Sequence, residues 1–217
     1  LAQLYVRTER LEDALFHAKL AEKLSPENIW VYNLLIQLHQ ALGNLQDEQE
    51  AYKSLVSIEP FNLEYKYYLA EIYSRIGEYK KALKVYNQIE KVSGISENLA
   101  TLKEHVYITL GDVDLAANEL QKLIMAFPHI VQYRVMLAEL YQANDLIDKA
   151  VQCYKDILKI DPSDLRANIA LAEHYRLQKE FLKAFEYLNA SFIDPNFDTE
   201  VKFQILITYF QLSIEDD

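Results

Sequence analysis

The feature of this chain that most limits its fold is a period of 34 residues that runs along its whole length. Stepping by 34 residues from Tyr5 meets seven residues, of which six are tyrosine. The series is Tyr5, His39, Tyr73, Tyr107, Tyr141, Tyr175 and Tyr209. A fixed period of this length is typical of stacked structural repeats, in which each unit buries its apolar faces against its neighbours. The period therefore predicts a stacked repeat architecture.

Three further registers share the same spacing. One holds small residues and is interrupted by Glu48, one holds prolines and is interrupted by Gly94, and one begins with glycine and lapses to Asp145 and Lys179. Their members are Ala14, Glu48, Ala82, Ala116, Ala150 and Ala184; Pro26, Pro60, Gly94, Pro128 and Pro162; and Gly43, Gly77, Gly111, Asp145 and Lys179. Independent registers with one period indicate that the repeat is a unit of structure.

Each 34-residue unit reads as two amphipathic helices, here called helix A and helix B. In residues 131–164, Leu137 and Tyr141 share one helical face, and Ala150 and Tyr154 share another. The glycine after helix A accepts a positive φ and closes a tight turn, whereas the proline after helix B cannot continue that helix. With four glycines and five prolines in 217 residues, the chain has few turns, which favours long helices. The predicted class is all-α.

The pattern resembles the tetratricopeptide repeat family. That family favours Leu at position 7 of a 34-residue unit, a small residue at 8, Tyr at 11, Gly at 15, Ala at 20, an aromatic residue at 24 and Pro at 32. The matching residues are Leu69, Ala70, Tyr73, Gly77, Ala82 and Tyr86 in one unit, and Leu137, Ala138, Tyr141, Ala150, Tyr154 and Pro162 in another. The resemblance implies a right-handed superhelical solenoid of stacked antiparallel helix pairs, with helices A lining a concave groove.

The resemblance covers essentially the whole chain, which we expect to form a single solenoid over residues 1–217. It implies a partial repeat, five complete repeats and a terminal helix, at residues 1–28, 29–62, 63–96, 97–130, 131–164, 165–198 and 199–213. Because the chain starts in mid-pattern at Leu1, we expect a fragment of a longer protein. Its low-glycine style, rich in Tyr, Leu and Lys, resembles bacterial members, many of them envelope proteins; cell envelope, periplasm and cytoplasm stay open.

Composition narrows the function. The chain has 22 Lys and Arg against 33 Asp and Glu, a net charge of −11, and this field repels nucleic acid. No apolar run approaches the roughly 18 residues of a transmembrane helix. The five histidines form no metal-binding pair within a helix, no catalytic motif is present, and the lone Cys153 reads as a partly buried packing residue. We therefore predict no enzyme, no metal and no cofactor.

The remaining candidate is a binding groove. Positions 2, 5, 9, 12 and 13 of helix A lie off its packing face, and the resemblance implies that this groove stripe faces the groove. Its candidate ligand-binding residues are Trp30, Asn33, Gln37, Gln40, Tyr67, Glu71, Ser74, Arg75, Thr101, His105, Gln132, Glu139, Gln142, Arg166, Glu173 and Arg176. Amide and charged groups could hydrogen-bond an extended peptide, with Trp30 or Tyr67 as an anchor. The alternative is an ordinary solvated face.

Several functions stay open from the sequence. We expect a non-enzymatic scaffold that binds a protein or peptide partner in the groove. Family members that grip a C-terminal carboxylate of chaperone tails use a Lys, Asn and Arg set that no window of this chain contains, which disfavours such ligands. The alternatives are a structural spacer or self-association module of a larger protein, and a docking segment attached to a catalytic domain outside this chain.

Two units depart from the repeat pattern. In residues 29–62, His39 and Glu48 replace the Tyr and the small residue. They predict either a hydrogen bond that would raise the His39 pKa, or a rotated helix B that exposes Glu48 and packs Ala51 instead. Before and within residues 97–130, Gly94 replaces the proline, and Lys103 and Glu104 replace the apolar residue at position 7 and the small residue at position 8. These departures predict an irregularity or hinge in that repeat, either as local looseness or as a dedicated site.

Overall fold

The computed structural model of the chain describes residues 2, 5, 10–192, 198–204 and 206–207. Over these residues every regular element is a helix, which confirms the predicted all-α class. The chain forms two compact units, Leu1–Leu110 and Gly111–Asp217. Tyr209 lies outside the described residues, as do positions 205 and 208–213 of the predicted terminal helix.

Eleven helices are delimited in the described residues, and within each unit consecutive helices pack against each other. The first unit contains α1 (Leu11–Leu24), α2 (Ile29–Leu42), α3 (Leu45–Ile58), α4 (Leu63–Arg75), α5 (Tyr79–Ser93) and α6 (Glu97–Thr109). The second contains α7 (Val113–Ala126), α8 (Val131–Ala143), α9 (Ile147–Ile160), α10 (Leu165–Leu177) and α11 (Phe181–Phe192). Residues 199–204 are also helical. Even-numbered helices are helices A of the predicted repeats.

The turn after each helix A has the same backbone conformation in all five repeats. Positions 43, 77 and 111 are glycines with φ between 71° and 81°. Asp145 and Lys179 occupy the equivalent places with φ of 58° and 62°. This left-handed region is costly for residues with a Cβ. The repeat therefore fixes the turn even where the glycine signature has lapsed.

A second junction that recurs in every complete repeat lies at the start of each helix A. The N-cap residues are 34 residues apart, at Asn28, Asn62, Ser96, Ile130 and Asp164. Four of these side chains accept a hydrogen bond from a backbone N–H of the first helical turn, which satisfies a donor that the helix leaves open. Ile130 has no such group, so α8 begins without a side-chain cap.

The core of each repeat is built where helix A crosses helix B. Alanines occupy positions 8 or 20 in most repeats and are almost completely buried, as in Ala70, Ala82, Ala138 and Ala172. A small side chain lets two helix backbones approach closely. Tyr73 and Tyr141 are buried, and the equivalent Tyr107 and Tyr175 are half-buried. Lysines eight residues further on, Lys81 and Lys149, place their ammonium groups 5.5 Å and 5.2 Å from the centres of these tyrosine rings, and Lys183 does the same over Tyr175.

For His39, the predicted hydrogen bond with Glu48 and the predicted exposure of Glu48 are both wrong, whereas the predicted packing of Ala51 is confirmed, since Ala51 is buried in the core. Glu48 is buried and accepts a hydrogen bond from Gln40 Nε2 at 2.7 Å, so it bonds neither His39 nor reaches water. His39 faces Asp47 instead, with 3.6 Å between Nδ1 and the carboxylate. Asp47 occupies the position that Lys81 and Lys149 occupy in other repeats. In this repeat, therefore, a histidine and an aspartate stand where those repeats have a tyrosine and a lysine.

The His39 imidazole is only 2% exposed, and its Nδ1 atom has no hydrogen-bond partner within the described residues. It borders a cavity of about 160 Å³. Burial lowers its pKa, partly opposed by the Asp47 carboxylate. The pKa therefore moves in the direction opposite to the predicted one, because desolvation outweighs the acidic neighbours.

An ion pair joins the repeat over 97–130 to the repeat before it. Lys103 occupies an apolar position and is completely buried, and its ammonium group donates to a Glu90 carboxylate oxygen at 3.0 Å. Glu104, at the usual small position, is half-buried, and burial raises its pKa. The boundary between the two units falls inside this repeat, after Leu110. The looseness expected here stays a prediction.

Candidate functional site

The predicted groove stripe lies on the five helices A of the described residues. All sixteen of its candidate residues lie within the described part of the chain, and none of them is buried. Asn33, Tyr67, Ser74 and Arg176 are half-buried and the other twelve are exposed. The off-face periodicity thus identified accessible residues, except at position 5 of α8, where Val135 is completely buried. Seven of them come together in two clefts, one in each unit.

The first cleft lies in the first unit, where α4, α5 and α6 meet. It has a volume of about 270 Å³. Glu71, Ser74 and Arg75 from α4 and His105 from α6 belong to the groove stripe. The complete lining is Glu71, Ser74, Arg75, Tyr79, Tyr86, Leu102, His105, Val106 and Thr109. This cleft offers both signs of charge, hydroxyls and an imidazole.

The second cleft lies in the second unit, where α8, α9 and α10 meet. Its volume is about 520 Å³. Gln142, Arg166 and Glu173 belong to the groove stripe. The complete lining is Gln142, Ile147, Ala150, Val151, Tyr154, Leu165, Arg166, Ile169, Ala170, Glu173, His174 and Leu177. Most of this surface is aliphatic, as in pockets that take apolar ligand groups.

The two clefts occupy equivalent positions of the repeat. Seven residues of the first cleft correspond to residues of the second that lie 68 positions, or two repeats, further along. The pairs are Ser74 and Gln142, Tyr79 and Ile147, Tyr86 and Tyr154, Leu102 and Ala170, His105 and Glu173, Val106 and His174, and Thr109 and Leu177. The same backbone frame therefore presents two different surfaces.

A tyrosine forms part of each lining, and in the second cleft it bonds the residue at position 12 of the preceding helix A. The Tyr154 hydroxyl donates to Gln142 Oε1 at 2.9 Å. Burial raises the pKa of Tyr86, and its hydrogen bond with the Ser74 side chain opposes that rise. Burial also raises the pKa of Tyr154, with a further contribution from the negative charge of Glu139. The Tyr154 bond holds the Gln142 side chain against the second cleft.

The cation that lines the second cleft, Arg166, and the neighbouring Arg176 are already paired. Arg166 donates from Nη1 to Gln132 Oε1 at 2.8 Å and forms an ion pair with Asp164 at 3.2 Å. Arg176 donates two hydrogen bonds to the Glu173 carboxylate, and the hydrogen bond from Arg176 lowers the pKa of Glu173. The guanidinium groups at this cleft are therefore neutralised by the chain itself.

The other members of the groove stripe do not line either cleft. Trp30, 82% exposed on α2, and Asn33, Gln37 and Gln40 on the same helix lie in the first unit away from the first cleft. Tyr67 and Thr101 are also outside it, and Gln132, Glu139 and Arg176 are outside the second cleft. Trp30 and Tyr67, the predicted anchors, therefore remain candidates on exposed or half-buried helix surface.

Sequence reasoning missed the contribution of helices B. Tyr79, Tyr86, Ile147 and Tyr154 line the clefts, whereas their periodicity predicted packing alone. Tyr86 and Tyr154 are buried, and they line the clefts as well. The signal in the sequence was the recurrence of an aromatic residue at position 24 together with a polar residue at position 12.

Chemistry that would support catalysis is not evident in the described residues. They contain no group of three His, Cys, Asp or Glu side chains that could hold a metal ion. Burial raises the pKa of the half-buried Cys153 thiol to about 11, so little thiolate forms at neutral pH. None of the helices in the described parts of the chain is long and apolar enough to cross a bilayer.

Comparison with known proteins finds repeat proteins. A family profile described as tetratricopeptide repeat matches residues 33–94, 105–164 and 135–196. The BBSome complex member BBS4 of Bos taurus is 25% identical over 168 residues, which cover 77% of this chain and 32% of that protein. A TPR repeat-containing protein of Methanocaldococcus jannaschii is 26% identical over 217 aligned residues, which cover 88% of this chain and 37% of the relative.

Solved structures show the same fold. The structure of Naa15/Naa10 bound to HypK-THB superposes with a TM-score of 0.72 at 16% identity, over 97% of this chain and 33% of that chain. At this identity the likeness is one of fold alone. The chain spans about a third of the length of these three proteins.

Proposed function

Because the chain belongs to the tetratricopeptide repeat family, we propose that it is a non-enzymatic scaffold that binds an extended peptide segment of a protein partner along its helices A. The family's fold is that of protein-interaction scaffolds, which bind proteins or peptides. Binding in the groove is the finer step that belongs to this proposal. It concerns the two clefts and the exposed residues of the groove stripe.

The observation that carries the proposal is the pair of equivalent clefts. Each is open to solvent and combines side chains from three consecutive helices around a tyrosine, and in the second cleft the tyrosine hydroxyl donates to Gln142 at position 12. A pocket that has apolar walls and a few fixed polar groups suits a peptide side chain, while amides such as Gln132 and Gln142 suit the peptide backbone.

The similarity to BBS4 agrees with a scaffold role, since that protein is named as a member of the BBSome complex. The pKa of Cys153 supports the non-enzymatic part of the proposal, because a thiol that titrates near 11 is a poor nucleophile at neutral pH.

The test is a selection of random twelve-residue peptides displayed on phage, followed by affinity measurement with the selected synthetic peptides. Leu177 lines the second cleft and is 69% exposed, so Leu177→Glu changes the cleft without disturbing the core. The matched control is Leu182→Glu, the same change at a residue that is 84% exposed on α11 and outside the cleft. Fluorescence polarisation gives the affinity of each variant.

We expect Leu177→Glu to weaken binding of the selected peptides at least tenfold, or about 1.4 kcal/mol, and Leu182→Glu to leave it within twofold. Failure to select any peptide would contradict the proposal. A peptide affinity that is unchanged by Leu177→Glu, by Thr109→Glu in the first cleft and by the two substitutions together would also contradict it. Circular dichroism confirms that the variants keep their helices.

A second function, self-association, is favoured by exposed apolar residues near the end of the described chain. Val201, Phe203 and Ile207 are each more than a third exposed. Apolar surface of this kind is characteristic of contacts between proteins. Sedimentation of the wild type against Phe203→Ser, over a range of concentrations, tests it: a dimer that the substitution dissolves would support self-association, and a monomer throughout would contradict it.

A further inference from the structure

The second cleft carries information about the chemistry of its ligand as well as its location. Seven of its twelve lining residues are aliphatic, namely Ile147, Ala150, Val151, Leu165, Ile169, Ala170 and Leu177. Ile147, Ile169 and Leu177 are more than a third exposed. Exposed aliphatic groups that surround a concave surface gain from burial by an apolar partner group. The first requirement on a ligand is therefore an aliphatic side chain.

The second requirement comes from the charges. Among the Lys, Arg, Asp and Glu residues that line the cleft, Arg166 is paired with Asp164, and Glu173 is paired with Arg176. These pairs leave no net charge on the lining from those residue types. A ligand charge would therefore be selected by groups next to the lining rather than within it.

Glu139 is such a group. It is exposed on α8, three residues before the lining residue Gln142, and so lies one helical turn from it on the same side of the helix. No ion pair or hydrogen bond is formed by its side chain within the described residues. Its negative charge contributes to the raised pKa of Tyr154, whose side chain borders the cleft. The cleft thus has one uncompensated carboxylate at its edge.

The surroundings have the same sign. Residues 111–217 contain ten Lys and Arg against eighteen Asp and Glu. An acidic field of this kind attracts cationic ligands and repels anionic ones. The charge of Glu139 and the net negative charge of residues 111–217 therefore both favour a cationic ligand at the second cleft.

We propose that the second cleft recognises a peptide segment in which an aliphatic side chain, seated in the cleft, is followed or preceded within about three residues by Lys or Arg paired with Glu139. Three residues of extended chain reach roughly 10 Å, enough to pass from the cleft to the preceding turn of α8. This inference rests on the proposed function and specifies the partner's chemistry at one of its two clefts.

The first cleft serves as an internal comparison. Its position-9 carboxylate, Glu71, is equivalent to Glu139, but Arg75 lies in the same lining and is also exposed. Both signs of charge are therefore available there, and the first cleft has no comparable reason to prefer a basic ligand.

The experiment repeats the phage selection on three proteins: wild type, Glu139→Gln and Glu186→Gln. Glu186 is exposed on α11 in the same unit and outside the cleft, so the second substitution removes the same charge elsewhere. We expect Lys and Arg to be enriched next to aliphatic residues in selections on wild type and Glu186→Gln. On Glu139→Gln the aliphatic enrichment should persist and the basic enrichment should disappear.

A double-mutant cycle then measures the pair directly. One selected synthetic peptide and its Lys→Gln or Arg→Gln analogue are titrated against wild type and Glu139→Gln. The basic residue should improve affinity about two- to fivefold on wild type, the size expected of a solvent-accessible ion pair, and not at all on Glu139→Gln. Raising the salt concentration to 1 M should abolish the difference, because the Debye length falls to about 3 Å.

The outcomes separate this inference from the proposed function. If no peptide of any composition is selected, both fail. If peptides that depend on Leu177 are selected without enrichment of Lys or Arg, or if the cycle shows no coupling to Glu139, groove binding stands and this inference is overturned. Enrichment of Asp or Glu next to the aliphatic residue would overturn it as well.

Discussion

The first and second clefts are built on the same positions of the repeat, two repeats apart, and differ in what they present. Both contain a tyrosine at position 24, Tyr86 or Tyr154. Around it the first cleft has His105 and Thr109, where the second has Glu173 and Leu177. The comparison teaches that the packing of the repeat fixes the backbone and the tyrosine, whereas the side chains at the remaining positions differ in charge and polarity.

The cores behind the clefts differ as well. The first unit buries the polar side chains of His39, Glu48 and Lys103. At the equivalent repeat positions the second unit has Tyr141, Ala150 and Leu171. Burying such groups carries a desolvation cost that an apolar core avoids. The second unit also buries the polar side chains of Glu119 and Asn168, but it has apolar or aromatic side chains at these three positions. Its other departures lie in its turns and caps, at Ile130, Asp145 and Lys179.

The largest effect is expected at the buried ion pair of the first unit. Lys103→Ala should lower the free energy of unfolding by about 3–5 kcal/mol, because it leaves a cavity and removes the partner of Glu90. The equivalent residues of the second unit are Leu171 and Leu158. Lys103→Leu with Glu90→Leu should therefore restore or exceed wild-type stability in urea unfolding. A double variant as unstable as Lys103→Ala would show that the pair is required and that the two cores are not interchangeable.

The turns provide the next largest effect. A Cβ at Gly77 would meet no atom within 4 Å, so the cost of Gly77→Ala is one of backbone conformation, about 1–2 kcal/mol. Lys179→Gly at the equivalent place in the second unit should raise stability by up to about 1 kcal/mol, less the entropy that glycine adds to the unfolded chain. Urea midpoints measure both. A gain in stability for Gly77→Ala together with a loss for Lys179→Gly would mean that the two turns are not held by the same repeat geometry.

The His39 site makes the stability of the first unit depend on pH. The groups that face it are Lys19 and Glu22 on α1 and Asp47 and Glu48 on α3. Because burial holds the folded-state pKa below its ordinary value, the unfolded chain takes up the proton first as the pH falls below about 6.5. His39 therefore lowers the free energy of unfolding in that range, by at most about 1.4 kcal/mol per pH unit.

The matched variant restores the pair that other repeats contain. His39→Tyr with Asp47→Lys should flatten the pH dependence between pH 7 and pH 5 and be more stable than His39→Tyr alone, whose ring would face a carboxylate. Urea unfolding at several pH values measures this. A pH profile that is the same in wild type and the double variant would contradict the account of His39.

The smallest effect concerns the helix caps. Ile130→Asn should raise stability by about 1 kcal/mol, because the backbone at this position already has the extended conformation of a capping residue. Asn62→Ala, at an equivalent place in the first unit, should lower it by about the same amount, since Asn62 accepts from two backbone N–H groups. Thermal unfolding of the two variants side by side checks both signs.

The sequence predicted the features that recur and failed where two departures interact. Helix pairs, the burial of Tyr73 and Tyr141 and the exposure of the groove stripe follow from spacing, because one helical face must pack and the opposite one must not. The partner of His39 could not be predicted, since Asp47 and Glu48 are adjacent in sequence but point about 100° apart on a helix.

The clefts were only half predicted for a similar reason. Residues of helix A were found because they lie off the packing face, whereas Tyr86 and Ile147 of helices B were assigned to packing alone. A residue at the boundary between core and surface has the same periodicity as a core residue. Whether it also lines a cleft depends on the size of its neighbours on the next helix, which spacing does not reveal.

The most direct test of the account is a methyl NMR titration of the chain, labelled at its Ile, Leu and Val methyl groups, with a peptide selected by phage display. The account predicts that the signals of Ile147, Ile169 and Leu177 shift upon binding while that of Leu182 stays unchanged. Shifts confined to Leu182, Val201 or Ile207, with Ile147, Ile169 and Leu177 unaffected, would contradict the claim that the second cleft is the binding site.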